Sequence, residues 1–476
     1  MNASSLFTAL LPEHLLLLGI VGSLVLEIVG RPSVTHQRLA FGVALLSVAA
    51  ATLAAAGLAL AGYTAAPFPG QFSVDPAGLA AKAMVLALAL PVLLIARADF
   101  AEDEFPVLLL SSLYGVCLMQ SADSFLTLFL GLEILSLPLY VLVLLAWRRP
   151  QAAEAALKYL VLGGAATATL LMGAALVYGS TGELSLAAFA KVLVATDALS
   201  RTAVVLVLLA FFLKGAIVPF HAWAPDAYEA ASIPVTAYMA TIVKAAVLLA
   251  AVRLFAGVTL TAPMSELVIA LPLVSIVWGN LAAMRQPSLR RMVAYSSIAH
   301  AGYLFLALLG DPAGRLQSVA FYLLVYGLLN LLVFTALPAS TGALANTGDN
   351  TRDDLERLKG LVHRSPAAAL MIGAAMLSLA GIPPLPGFIA KFLIFKNLIA
   401  AGHVTTAVLG LMGSFLGIYF YLRVIQFMFM SPSASPAGSG GRAHRLALSA
   451  SALCVAATVV VAVFPGWVMA RFVAMP

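Results

Sequence analysis

Apolar runs long enough to cross a bilayer recur along the whole of this 476-residue chain, one roughly every 25 to 35 residues, and a run of about 18 or more apolar residues reads as a spanning helix. Hydrocarbon offers no water to backbone N–H and C=O groups, so a crossing segment must satisfy them internally. Charge agrees: Asp, Glu, Lys and Arg make up 10% of the residues, against roughly 25% in a soluble domain. The formal charge of +6 is therefore no nucleic-acid footprint, and its placement matters more than its sum. The fold class is an all-α integral membrane protein in the lipid bilayer, one transport domain with no soluble domain. It has about fourteen transmembrane helices, near 14–30, 37–63, 75–96, 105–122, 123–147, 154–179, 201–231, 234–256, 263–284, 288–309, 316–338, 366–400, 404–430 and 445–472. Cys117 and Cys454 sit far apart in apolar runs without metal-ligand spacing, so neither a metal nor a cofactor is expected in this chain. The N-terminus has no basic region followed by a small-residue cleavage site and is not read as a cleaved signal peptide.

Loop cations orient the spans. Alternate loops on one side hold Arg31, Arg38, Arg97, Arg148, Arg149, Arg285, Arg290, Arg291, Arg352, Arg357, Lys359, Arg364, Arg442 and Arg445; the other side holds Lys191, Arg201, Arg253, Arg315 and Arg471. By the positive-inside rule the first side is cytoplasmic. An even number of spans then puts both termini in the periplasm. The longest hydrophilic stretches are 339–365 and 431–445, the second a Ser/Pro/Gly-rich flexible linker.

Lysine is distributed differently. Of the eight lysines only Lys191 and Lys359 fall in loops. Arginine keeps its charge almost anywhere, whereas a buried lysine can give up its proton. Several lysines inside spans therefore suggest a proton relay, with each facing other helices or water. Lys82 and Lys396 lie near span ends, where the stem can snorkel, and Arg423 suits a structural role. Lys158 is close to the cytoplasmic end of its span, with the polar Thr167–Thr169 stretch suggesting hydration above it. Lys214 and Lys244 sit well inside theirs. Glu133 is a lone carboxylate in an apolar run and needs a partner; ionised beside a lysine it would hold the proton there, and neutralised it would release it. Glu27 is a weaker candidate. His300, in a polar stretch inside a span, has a near-neutral ordinary pKa that suits relay work.

Two spans are interrupted. In the first, Pro219 and Pro225 each remove a backbone donor and Gly215 loosens the turn before them. The second carries Pro383 and Pro384 next to Lys391. Paired broken helices at corresponding positions point to an inverted-repeat transporter. The expected organisation is N-terminal helices over 1–104, five-helix repeats over 105–256 and 263–430, the linker 431–445, and a C-terminal helix over 446–476.

The stretch from Lys214 to Glu229, running on through Pro234-Val-Thr-Ala-Tyr to Lys244, resembles the signature of the proton-translocating, antiporter-like subunits of bacterial NADH–quinone oxidoreductase (respiratory complex I) and of multisubunit sodium/proton antiporters. Gly279–Gln286, Ala294–Tyr303 and Ser378–Pro384 with Gly387–Lys391 look most like the subunit N branch. Lys391 supports that branch, since the M branch has a glutamate there. The chain departs from the common pattern at Ala230-Ala231-Ser232 and Leu385-Pro386, removing no titratable group. Lys158 is counted as a relay candidate from its place in its own span; the resemblance implies that Glu133 and Lys214 form an ion pair, that Lys244 is the central relay lysine, that His300 bridges two half-channels and that Lys391 is the outer relay lysine. It further implies other membrane-arm subunits as partners, and FMN, iron–sulfur clusters and quinone bound in those partners. Subunits of a sodium/proton antiporter, or of a ferredoxin- or hydrogenase-linked complex, would need the same lysines, and a purely structural membrane anchor would need none of them.

Overall fold

The computed structural model describes residues 3–29, 34–99, 104–146, 150–255, 260, 262–341, 354–430 and 442–472. The expected linker therefore lies mostly outside the described residues, as do 342–353 of the other hydrophilic stretch. Helices account for nearly all of the structure. A short α1 (Ala3–Ala9) precedes α2 (Leu11–Val29) and α3 (Val34–Leu60). A two-stranded antiparallel hairpin follows, β1 (Ala65–Phe68) with β2 (Phe72–Val74); the fold is thus not strictly all-α. Then come α4 (Pro76–Asp99), α5 (Glu104–Gln120), α6 (Phe125–Leu144) and α7 (Gln151–Thr181). A short amphipathic α8 (Leu186–Val194), also unanticipated, leads to α9 (Ala198–Gly215) and α10 (Trp223–Ala230). The next span is composite: α11 (Ile233–Tyr238), a π-helical turn over Met239–Val243, and α12 (Lys244–Leu254). The chain continues through α13 (Ala262–Ala283), α14 (Leu289–Leu306), α15 (Pro312–Thr341), a single turn α16 (Leu361–Arg364), α17 (Pro366–Ala380), α18 (Pro386–Ala400), α19 (Val404–Met430), α20 (Arg442–Val463) and α21 (Pro465–Met469).

Twelve of these stretches are long and apolar enough to cross a membrane, with α5 and α17 shorter apolar helices. They differ in what covers them. The Ile233–Leu254 span is buried along its whole apolar window, and the α14 and α15 spans over 94% of theirs. The windows of α2, α3 and α20 are 22–28% buried, leaving leucines and valines such as Leu46, Leu53 and Val459 exposed. A helix that is apolar all round and covered all round belongs at the centre, and one that shows Leu and Val outward faces lipid. The centre of the bundle is therefore α11–α12, α14 and α15, with α4 beside them, and it is here that the polar groups collect.

Both expected interruptions are present, with one correction. α9 stops at Gly215, and Ala216 caps it in the left-handed region at φ 60°. Pro219 lies in the irregular stretch that follows. Pro225 does not break anything: it is the third residue of α10, in the first helical turn, where a missing N–H goes unnoticed. The second break runs from Gly381 to Leu385 and holds both Pro383 and Pro384. Gly381 has φ 88°, a conformation open to glycine without strain.

Three arginines assigned to loops serve as internal fasteners. Arg290 is buried and donates to the carbonyl of Ala231 (2.5 Å), just past α10. Arg315 is buried and donates to the carbonyls of Phe255 (2.5 Å) and Gly310 (2.9 Å). Arg253 pairs with Asp75 at 3.0 Å, tying α12 to the start of α4. Arginine suits this work because its planar fork reaches several oxygens and keeps its charge.

Candidate functional site

The first buried group joins α6, α7 and α9. Glu133 and Lys214 approach to 4.0 Å, with 23% and 8% of their side chains exposed. Lys214 Nζ donates to Ser136 Oγ at 3.0 Å. Thr167 donates to Glu133 Oε1 at 2.5 Å. Of the polar threonine stretch, Thr167 thus serves Glu133, while Thr169 bonds the Ala165 carbonyl of its own helix. Lys214 falls in the last turn of α9, where unpaired carbonyls give the helix end a partial negative charge that favours a cation. A cavity of about 10 Å³, close to the room one water needs, lies between Thr167, Ala210 and Lys214.

The second group is centred on α14. Lys244 follows the π-helical turn, a feature frequent at functional sites because it re-aims the next side chain. Its ammonium donates to Ser297 twice, to the carbonyl at 2.5 Å and to the hydroxyl. One helical turn on, His300 is held from both sides: Nδ1 lies 2.8 Å from Tyr322 Oη and Nε2 3.0 Å from Tyr421 Oη. Tyr421 in turn meets Ser296 Oγ at 2.5 Å. All of these residues are buried. A tyrosine hydroxyl both donates and accepts, and so does a neutral imidazole. The line from Ser296 through Tyr421 and His300 to Tyr322 can therefore reverse its hydrogen bonds without leaving any member unpaired.

The third group sits at the second break. Lys391 Nζ donates to the carbonyls of Leu379 (3.0 Å) and Ala380 (3.1 Å) and to Ser414 Oγ (2.9 Å). Those carbonyls end α17, so the break itself supplies the lysine's acceptors. Gly387 makes this possible: a Cβ there would run into the Ser378 carbonyl. A cavity of about 10 Å³ lies between His300, Tyr322, Tyr326, Ser378 and Lys391, room for about one water.

Residues 122–417 match the family described as NADH:quinone oxidoreductase/Mrp antiporter, TM. A NADH-quinone oxidoreductase subunit N from Pelobacter propionicus is 36% identical over 429 residues, covering 90% of each chain. A chain in a structure of respiratory complex I from Thermus thermophilus is 35% identical with a TM-score of 0.81, covering 96% of this chain and 98% of that one. A chain of the Mrp complex from Dietzia, 22% identical with a TM-score of 0.82 over 97% and 96% of the two chains, shares the fold. This chain belongs to the NADH:quinone oxidoreductase/Mrp antiporter family.

Within the family it stands with the chains named NADH-quinone oxidoreductase subunit N. Of the expected site residues, Glu133, Lys214, Lys244, His300 and Lys391 fall inside the family match and lie in the three buried groups just described. Lys158 does not join them. It is 44% exposed and pairs with Glu154 and Asp226, both at 2.7 Å. Arg291 extends that network to Asp226 (2.9 Å) and Glu229 (2.7 Å). Lys82, expected to snorkel, is instead wholly buried and bound to Glu13 at 2.5 Å. Lys396 is exposed, and Glu27 partly so. Arg423 donates to the carbonyls of Met284 (2.8 Å) and Gln286 (3.3 Å) beyond α13, a structural contact. Sequence reasoning passed over Ser136, Ser297, Tyr322, Ser414 and Tyr421, because a serine or tyrosine in an apolar run carries no charge to mark it. It also passed over Glu13, whose partner is 69 residues away.

Proposed function

We propose that this chain carries protons across the membrane by way of Glu133, Lys214, Lys244, His300 and Lys391, driven by quinone reduction in partner subunits. The observation that carries this reading is the set of acceptors around Lys244 and Lys391. They are neutral serine and carbonyl oxygens. A lysine locked to a buried carboxylate leaves an uncompensated charge when it loses its proton. One held by neutral oxygens does not. Lys214 faces a carboxylate at the longer distance of 4.0 Å, and Thr167 gives that carboxylate a second partner, so the two can separate. Lys158 belongs to a surface network at the mouth, suited to gathering protons.

In the same reading the chain makes fourteen crossings. α5 and the α17–α18 pair add two to the twelve long apolar stretches. Residues 105–256 and 263–430 form two inverted five-helix repeats, supported by an interruption with a neighbouring lysine in each; 1–104 and 446–476 flank them, and 431–445 link the last helix. Both termini face the periplasm and the chain lies in the bacterial inner membrane. FMN, iron–sulfur clusters and quinone belong to other subunits of the complex.

The test is proton movement coupled to quinone reduction in sealed vesicles, normalised to assembled complex. Lys244→Ala and Lys391→Ala are expected to assemble and lower the protons moved per electron pair, with and without sodium. Unchanged stoichiometry in both would overturn the relay, and a strict sodium requirement would favour the antiporter reading.

A further inference from the structure

A second site, independent of the relay, lies on the lipid-facing side. α20 packs along α4 and α15, yet the three helices and the end of α3 leave a cavity of about 690 Å³, well within the size range of ligand sites. Its walls are kept back by short side chains, among them Ala59, Ala83, Ala87 and Ala457. Ala87 is exposed, so the slot opens sideways toward lipid. Along α4 the lining extends from Pro76 to Pro91, a rise of about 22 Å. That is close to the depth of one leaflet with its headgroup, half of roughly 40–45 Å.

The slot is apolar in its depth and cationic at its rim. Arg471 is exposed there with its guanidinium over the ring of Trp467, 4.9 Å from the centroid. No carboxylate among the described residues pairs with it. A tryptophan at this level marks the membrane interface. Stacking uses the face of the guanidinium and leaves its N–H edge for a planar array of anionic oxygens. An apolar slot one leaflet deep, with an arginine at the headgroup level that meets no carboxylate among the described residues, matches one chemistry. We propose that this slot binds an anionic phospholipid, with an acyl chain between α4 and α20 and its phosphate on Arg471.

The experiment uses the whole complex containing this chain, reconstituted in phosphatidylcholine vesicles doped with phosphatidylglycerol that carries a photoreactive group on one acyl chain. After irradiation, adducts are mapped by mass spectrometry. Adducts are expected on the α4 and α20 segments that line the slot, competed by unlabelled phosphatidylglycerol and poorly by phosphatidylcholine. Arg471→Gln, a surface change that removes the guanidinium and its stacking on Trp467, should weaken the preference for the anionic lipid ~5-fold, the worth of one interfacial arginine. Ala87→Phe should fill the slot and abolish the adducts. Equal competition by phosphatidylcholine with no effect of Arg471→Gln would overturn the proposal, as would competition by a neutral isoprenoid quinone or adducts found only outside the slot.

Discussion

A lysine ammonium has three N–H donors, and Lys391 finds an acceptor for each in two carbonyls and a serine. Lys244 finds its acceptors on one residue, Ser297. That difference makes Lys244 the sharper probe of a transferable proton. Lys244→Arg keeps the charge but holds its proton too tightly to pass on, whereas Lys244→Ala removes the charge. If Lys244 passes protons, both variants lose proton-coupled activity in sealed vesicles while the complex still assembles; near-normal pumping in the arginine variant alone would make Lys244 a fixed charge. At Glu133 the expectation concerns the partner. Glu133→Gln removes the carboxylate that favours a charged Lys214, while an amide can still accept from Thr167. Pumping should fall more than assembly, and a variant with full proton stoichiometry would leave Glu133 a structural role only.

At the scale of elements, two contacts decide how helices seat. Glu13 of α2 and Lys82 of α4 form a buried pair, and the second carboxylate oxygen of Glu13 has no hydrogen-bond partner among the described residues. Breaking such a pair by removing one member strands a charge, at a cost of about 3–5 kcal/mol. Glu13→Gln is expected to lower the thermal transition of the detergent-solubilised complex, and adding Lys82→Met should recover most of the loss. No recovery in the double variant would mean that the pair is not the source. The other contact is the close seat of α18 on the end of α17. Gly387→Ala puts a methyl group into the Ser378 carbonyl, so the break must open and Lys391 must leave Leu379 and Ala380. Assembly or pumping should fail together with this single methyl, as measured by complex recovered from membranes and by vesicle acidification. Both contacts were hidden in the sequence. Glu13 reads as an ordinary acid at the start of a span until α4 is laid against α2, and Gly387, though it opens the Gly387–Lys391 motif, carries nothing in sequence that points to Ser378.

For the molecule as a whole, the orientation can be checked directly. A reporter fused after Pro476 should be active when it is one that works only in the periplasm, and silent when it works only in the cytoplasm. The inward contacts of Arg290, Arg315 and the partly buried Arg253 do not reverse the expectation, since they take one cation from the richer side and two from the poorer.

Hydropathy by itself determined that this chain is a helical membrane protein, because a backbone in hydrocarbon has few ways to satisfy its polar groups. It located nearly every span, since the length of a crossing is set by the bilayer and not by the neighbours. The same physics marked Glu133, Lys214, Lys244 and Lys391, for a charge in an apolar run is costly wherever the helix sits. What only the tertiary structure decided is which of the in-span lysines keep company. Lys158 and Lys82 look alike in sequence, each about a turn or two inside a helix, yet one ends in a surface network and the other in a sealed pair with Glu13. Nor could the sequence place Tyr421 and Tyr322 on either side of His300. Those contacts join residues 121 and 22 positions apart, and they exist only because the tertiary fold lets side chains of α15 and α19 reach His300 on α14.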